Sequence, residues 1–297
     1  EYTFPMKVGF CENCNMVQLV DQPERERMFH ENYAFFSSTS SYMKEHFRQF
    51  ANSVSELQDL DESSFVVEIG SNDGIMLQNF AIDKIPCLGI EPSKNVAKAA
   101  RDKGIEVITE FFDQPLAENI ITTYQKADAI LSANVMCHIP YMHSIYDGVK
   151  ELLKDDGVFI FEDPYLGEVI EKTSFDQIYD EHVFLFSALS VSHLADMHDL
   201  ELIDVEYQIT HGGSMRYTIA HKGAKRISES VSNLIAKEKK MGLDSPEAYS
   251  NFANDVDRIK DDLIALLRKL KDEDKKVVAY GATSKSTTVT NYFEITP

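Results

Sequence analysis

Residues Val66 to Leu77 read VVEIGSNDGIML, and this stretch decides the fold. Val66, Val67 and Ile69 around Glu68 make a short apolar strand. The segment from Gly70 to Gly74 makes a turn, and the spacing of Ile75, Met76, Leu77 and Phe80 predicts a helix starting at or near Gly74. Glycine at such a turn opens backbone angles closed to other residues and lets a ligand approach the main chain. A dinucleotide site would read G-x-G-x-x-G here. This chain reads Glu68-x-Gly70-x-x-x-Gly74 instead.

An acid on the strand, with no third glycine at dinucleotide spacing, suits a cationic ligand with a free amino group and no pyrophosphate. That points to S-adenosylmethionine (SAM). The next strand, Cys87-Leu88-Gly89-Ile90-Glu91-Pro92, ends in an acid placed to accept both ribose hydroxyls. From the turn alone, an ordinary βαβ connection with a chance glutamate reads the same; Glu91 counts against it. The candidate cofactor residues are Glu68, Gly70, Asn72, Gly74, Glu91, Pro92 and, from a later strand, Asn134.

A length of 297 residues permits two or three domains, and a hydrophobic fraction of 43% is ample for a core. The formal charge of −20 repels phosphate backbones, so nucleic acid is not an expected partner. A local basic pocket for one sugar nucleotide is compatible with it. No apolar run approaches the roughly 18 residues that span a bilayer, and no signal peptide is visible. The expected location is cytoplasmic, without a membrane partner. The first residue is Glu1 rather than Met, which points to sequence upstream.

Cys87 and Cys137 fall at strand or strand-end positions and read as small core residues. Cys11 and Cys14 form a C-x-x-C, which reads as half of a zinc knuckle rather than a disulfide. A structural zinc ion takes four ligands, and no second cysteine pair follows.

Along the chain, residues 1–50 form a first unit, with strand-like pieces Thr3 to Phe10 and Met16 to Val20 around the cysteines. A helical pattern over residues 41–59 leads into the core. Strand candidates Phe65–Ile69, Cys87–Ile90, Ile105–Thr109, Ala129–Ala133 and Val158–Glu162 alternate with helices such as Lys94–Lys103 and Tyr141–Leu153. This alternation predicts a parallel sheet covered on both faces. Leu200–Tyr207 and Ser214–His221, joined only by Gln208 to Gly213, predict an antiparallel pair at the sheet edge. Five parallel strands closed in this way is the arrangement of class I methyltransferases. The central unit is residues 51–222. Residues 223–297 begin with charged helices broken at Gly242–Pro246, where Ser245 is a candidate N-cap and Pro246 the first helical residue. Val277 to Lys285 then predicts a strand entering a Gly/Ser/Thr turn and a helix, the opening of a further α/β domain.

The carboxyl ends of parallel strands line the ligand crevice. Asn134 and His138 follow one such strand, and Glu162-Asp163-Pro164-Tyr165 end the next. An insertion from Leu166 to Phe186 then carries Tyr179-Asp180-Glu181-His182. A titratable tetrad above the crevice suits a general base: His182 takes the proton, Glu181 or Asp180 orients it, and Tyr179 donates to a developing oxyanion. A surface loop of mixed polarity fits the tetrad equally well. In His211-Gly212-Gly213-Ser214-Met215-Arg216, Arg216 suits a phosphate or carboxylate, although the string also reads as the tight turn of the edge pair.

The strings FCENCNMVQLV, YAFFSSTSSYM, EIGSNDGIML, GIEPS, NVMCHIP, FEDPYLGEVIEKTSFDQIYDEH, HGGSMR and AYGATSKSTTVTNYFEI occur in order across nearly the whole chain. Together they resemble the SAM-dependent sugar-nucleotide C-methyltransferases of deoxysugar biosynthesis, the 3-C-methyltransferases in particular. The resemblance implies a class I (Rossmann-like) SAM core with a small N-terminal zinc-ribbon-like unit and a C-terminal α/β domain that helps to hold the nucleotide sugar. One cysteine pair and most of the last domain are absent from this chain, as if it were truncated at both ends. The resemblance further implies His182 as the base, supported by Tyr179 and Glu181, with His138 and Tyr33 near the sugar. The substrate would be a nucleotide-diphosphate keto-sugar, methylated at carbon through an enolate. Lys285, at a helix start, suits its diphosphate. Three other readings stand beside this one: O-methylation on the same scaffold, a nicotinamide-dependent oxidoreductase, and a non-catalytic SAM-binding interaction protein.

Overall fold

The computed structural model describes residues 5–281 and 283–295. Thr3 and Phe4 of the first strand-like piece, Ala282 and the end of the chain lie outside them. In chain order the strands are β1 (Val8–Phe10), β2 (Val17–Leu19), β3 (Val66–Ile69), β4 (Cys87–Ile90), β5 (Glu106–Ile108), β6 (Ala127–Ala133), β7 (Leu153–Pro164), β8 (Phe184–Leu185), β9 (Leu200–Gln208) and β10 (Ser214–His221). The helices are α1 (Arg25–Met28), α2 (Ser41–Gln58), α3 (Leu77–Ile82), α4 (Lys94–Arg101), α5 (Gln114–Thr123), α6 (Met142–Leu152), α7 (Leu166–Glu171), α8 (Ala188–Met197), α9 (Glu229–Met241), α10 (Pro246–Asp272) and α11 (Ser284–Tyr292).

Seven strands form one sheet in the order β5-β4-β3-β6-β7-β10-β9. The first five run parallel, and β10 lies antiparallel between β7 and β9. All four residues of β3 are buried, as befits a parallel strand covered on both sides. Val67, Ile69, Phe159 and Phe161 pack with α5, α6 and α8 through Leu116, Ile145, Val149 and Val191. Their neighbours Val66, Val158 and Ile160 face the opposite way, onto Phe47, Phe50, Leu77 and Phe80 of α2 and α3. The Ser40 side chain caps α2 by accepting from the Met43 N–H. This is a class I Rossmann-like α/β fold with a mixed sheet.

The antiparallel edge pair forms as expected, with β10 beside β7 and β9 at the rim. Two expectations change. The helix after β3 begins at Leu77, not at Gly74, because residues 71–76 are spent on turns and Gly74 sits at φ +75°. Residues 277–281 form no strand. Among the described residues no strand lies beside them to pair their backbone groups, and Val278 is 77% exposed. The helix expected after them does form, capped by the Thr283 side chain. Ser245 and Pro246 start α10 as expected.

β1, β2 and β8 make a small antiparallel sheet, so the insertion after β7 contributes a strand to the N-terminal unit. Cys11 and Cys14 sit in the β1–β2 turn, closed by the Cys11 N–H to Met16 O and the Asn15 N–H to Cys11 O. Among the described residues, no group of three or more potential metal ligands includes either thiol. The chain therefore presents half of a tetrahedral donor set and does not show a zinc ribbon.

Candidate functional site

Two cavities open at the carboxyl ends of the strands and share Tyr33, Phe35, Asn134 and His138. The first is bounded by Gly70 and Asn72 after β3, Glu91 and Pro92 after β4, and Asn134 after β6. A Cβ on Gly70 would lie 2.4 Å from Val135 Cγ2, and its φ is +73°, so only glycine lets the two turns close on each other here. Glu91 is buried and accepts from the Asn72 N–H (3.0 Å) and the Ser93 N–H (2.8 Å). Burial raises its pKa, opposed by those amide bonds. Each carboxylate oxygen keeps a second lone pair for a ligand hydroxyl. Asn134 is held at φ +56° with its N–H on Glu162 O (2.7 Å) and its Oδ1 buried without a protein partner. Such an oxygen at the cavity junction fits a ligand that donates.

Two expected residues do not line this cavity. Glu68 is buried beneath it, its pKa raised well above the carboxylate range by burial and by Glu91 and Asp73. Gly74 packs away from it, where a Cβ would strike Ile105 Cδ1 at 2.3 Å.

The segment from Tyr33 to Ser38 covers the cavity and is fastened by the side chains of Asn72, Asp73 and Asn95. The Ser37 N–H donates to Asn72 Oδ1 (3.0 Å), and Asn72 Nδ2 to Phe35 O (3.1 Å). The Ser38 N–H donates to Asp73 Oδ2 (3.1 Å). Asn95 accepts from the Tyr33 N–H (3.2 Å) and donates back to Tyr33 O (2.7 Å).

The second cavity, about 780 Å³, lies under the insertion and is lined by Tyr179, Glu181, His182, His211 and Lys285. His182 is buried, with Nδ1 2.7 Å from Gln177 O and Nε2 2.8 Å from the Tyr179 hydroxyl. A carbonyl oxygen only accepts, so Nδ1 carries the proton and Nε2 accepts from Tyr179. Burial, with His138 alongside, holds His182 well below the usual histidine pKa. His138 stacks between Phe29 (5.7 Å) and His182 (5.3 Å) and is pushed down to about 4, mainly by burial. Both rings are therefore neutral near pH 7. Glu181 is raised by burial, then by Asp180, and makes no hydrogen bond to His182 among those described. The Tyr179 hydroxyl points to His182 Nε2, not to a free oxyanion position.

Arg216 is committed inside the protein. Its guanidinium donates to Glu162 Oε2 (2.9 Å) and Glu206 Oε2 (3.0 Å) and lies 3.7 Å over the Phe50 ring. Asn95 and Gln177 carry no sequence signal that marks them as site residues, whereas His211 opens the string His211 to Arg216 that the sequence singles out. Gln177 Nε2 donates to His211 O (2.7 Å), joining His182 to a residue at φ +52°.

The sheet order and the crevice at its strand ends define a class I methyltransferase. A family model described as a methyltransferase domain matches residues 41–205, and one described as a C-methyltransferase C-terminal domain matches residues 209–297. The chain is similar to C-methyltransferase NovU of Streptomyces niveus, at 31% identity over 286 residues, covering 96% of this chain and 68% of the relative. The chain belongs to the C-methyltransferase family. Among solved structures, the magnesium protoporphyrin IX methyltransferase of Synechocystis PCC 6803 aligns with TM-score 0.49 at 12% identity, covering 67% of this chain and 93% of that one. A SAM-dependent methyltransferase from Clostridium acetobutylicum aligns with TM-score 0.47 at 12% identity, covering 63% and 94%.

Proposed function

We propose that the chain transfers a methyl group from SAM to a carbon of a nucleotide-diphosphate keto-deoxysugar, with His182 as the base that generates the enolate. The observation that carries this reading is a neutral, tautomer-fixed imidazole that lines the second cavity and stacks on His138, which both cavities share. SAM supplies an electrophilic methyl that needs no further activation. Glu91 and Asn72 hold the donor, and Gly70 lets the turn close. His182 Nε2 takes a proton from the carbon beside the ketone, and its Nδ1–H bond to Gln177 O steadies the imidazolium that results. His138, whose Nε2 has no protein partner, and Tyr33 line the same cavity and receive the sugar. Lys285 is the one Lys or Arg lining the second cavity among the described residues, with burial lowering its pKa, and it faces the diphosphate. The N-terminal unit (1–50) covers the donor, residues 51–222 perform the chemistry, and residues 223–297 approach the nucleotide.

O-methylation would use the same base on a hydroxyl. Incubating the protein with methyl-labelled SAM and a panel of nucleotide-diphosphate keto-sugars separates the readings. Carbon-13 spectra of the product show a C-methyl group under this proposal, and a methoxy group under the alternative. Calorimetry with S-adenosylhomocysteine, compared with NAD, tests the donor site without an acceptor.

A further inference from the structure

We propose that Cys137, His138 and His182 form a binding site for a soft divalent cation of the zinc class, and that its occupancy shuts the centre down. The thiol and one nitrogen from each imidazole lie within 4.8 Å of one another, and all three residues are buried. His138 Nε2 is buried without a protein partner. One thiolate with two imidazoles is a donor set that zinc-class ions prefer over magnesium or calcium.

The three groups come from two elements. Cys137 and His138 sit in the 3-10 turn Met136–His138 after β6, anchored by the Cys137 N–H to Asp163 Oδ2 (3.1 Å). His182 comes from the insertion after β7. Ligands on a tetrahedral zinc ion stand roughly 3.5 Å apart, so the groups need to close by about 1 Å. His182 Nδ1 is engaged by Gln177 O, so the ion takes Nε2 and displaces the Tyr179 hydroxyl. Both imidazoles already hold their neutral, ligating form. The thiol exchanges its proton for the metal: one ion enters, one sulfur–metal bond forms, and one proton leaves to solvent. The fourth position on the ion stays open to water.

Occupancy removes the lone pair that the proposed base uses. The shut-down therefore rests on that role of His182, whereas the binding does not. The binding test uses zinc chloride alone, titrated into the full chain and into Cys137→Ser and Cys137→Ala, with circular dichroism and S-adenosylhomocysteine binding registering the fold. The wild-type chain takes up one more equivalent than either folded variant, with micromolar or tighter affinity. Cadmium adds a thiolate-to-metal absorption band that Cys137→Ser lowers by one thiolate. The additional equivalent persists in Cys11→Ser/Cys14→Ser. Equal uptake by the wild type and both Cys137 variants, or uptake confined to Cys11 and Cys14, overturns the site. With a methyl acceptor in hand, zinc lowers wild-type turnover more than tenfold, a chelator restores it, and Cys137→Ser resists inhibition at least tenfold better. Undiminished turnover with the additional equivalent bound overturns the shut-down alone.

Discussion

At the residue scale, the proposed chemistry turns on how one imidazole is held. Gln177 O fixes the proton of His182 on Nδ1, and Tyr179 donates to Nε2. His182→Asn keeps a donor of similar size but has no basic nitrogen. We expect it to lower turnover by roughly 10²–10⁴-fold, while S-adenosylhomocysteine binding by calorimetry changes less than twofold. The pH profile follows from the sign of the shift. A histidine pKa lowered by burial means that the neutral, competent form survives as pH falls through 6.5. Turnover should therefore stay flat from pH 8 to pH 6 and fall only at more acid values; half-loss near pH 6.5 would contradict this. Much of the residue-level site is legible from sequence, because a glycine turn after a strand is local chemistry. Gly70, Asn72, Glu91, Pro92, Asn134, Tyr33, His138, Tyr179, Glu181 and His182 all line one cavity or the other. Glu68 and Gly74 share the motif but do not line the cavity, and spacing along a chain does not say which side of a turn a residue takes.

At the scale of elements, the segment over the first cavity, the proposed donor site, is a strap tied at three points, Asn72, Asp73 and Asn95. Asn95 lies on α4, 62 residues from the Tyr33 it holds, and a contact of that range leaves no periodic trace in sequence. Asn95→Ala removes both bonds to the Tyr33 backbone. At about 0.5–1.5 kcal/mol per bond, we expect S-adenosylhomocysteine affinity to weaken roughly tenfold, with the melting temperature nearly unchanged. Unaltered affinity would mean that the strap contributes nothing to the donor site. The stretch at 277–281 shows the converse: its β-prone composition predicts a strand, but a strand exists only beside a partner.

At the scale of the molecule, Glu162 joins what the sequence keeps far apart. Its buried carboxylate accepts from His46 on α2 (2.8 Å), Thr210 before β10 (3.0 Å) and Arg216 on β10 (2.9 Å). Burial alone would raise its pKa; His46 and Arg216 outweigh that and lower it. Glu162→Gln leaves a buried guanidinium without its charge partner there, at a cost of about 3–5 kcal/mol. That corresponds to a loss on the order of 10 °C in melting temperature, checked by thermal denaturation. Buried histidines set the acid side of stability. His138 has a folded pKa of about 4, below its unfolded value, so its contribution is complete above about 6.5 and is lost as pH falls toward 4. No described helix is long and apolar enough to cross a membrane.

The proposed role of His182 is to remove a proton from the carbon beside a ketone. Hydrogen exchange tests it without methyl transfer. The protein, S-adenosylhomocysteine and nucleotide-diphosphate keto-deoxysugars are incubated in deuterium oxide, and the carbon-bound proton beside the ketone is followed by NMR. Exchange is expected well above the buffer rate with the wild-type chain and at the buffer rate with His182→Asn. Equal exchange in both would contradict it.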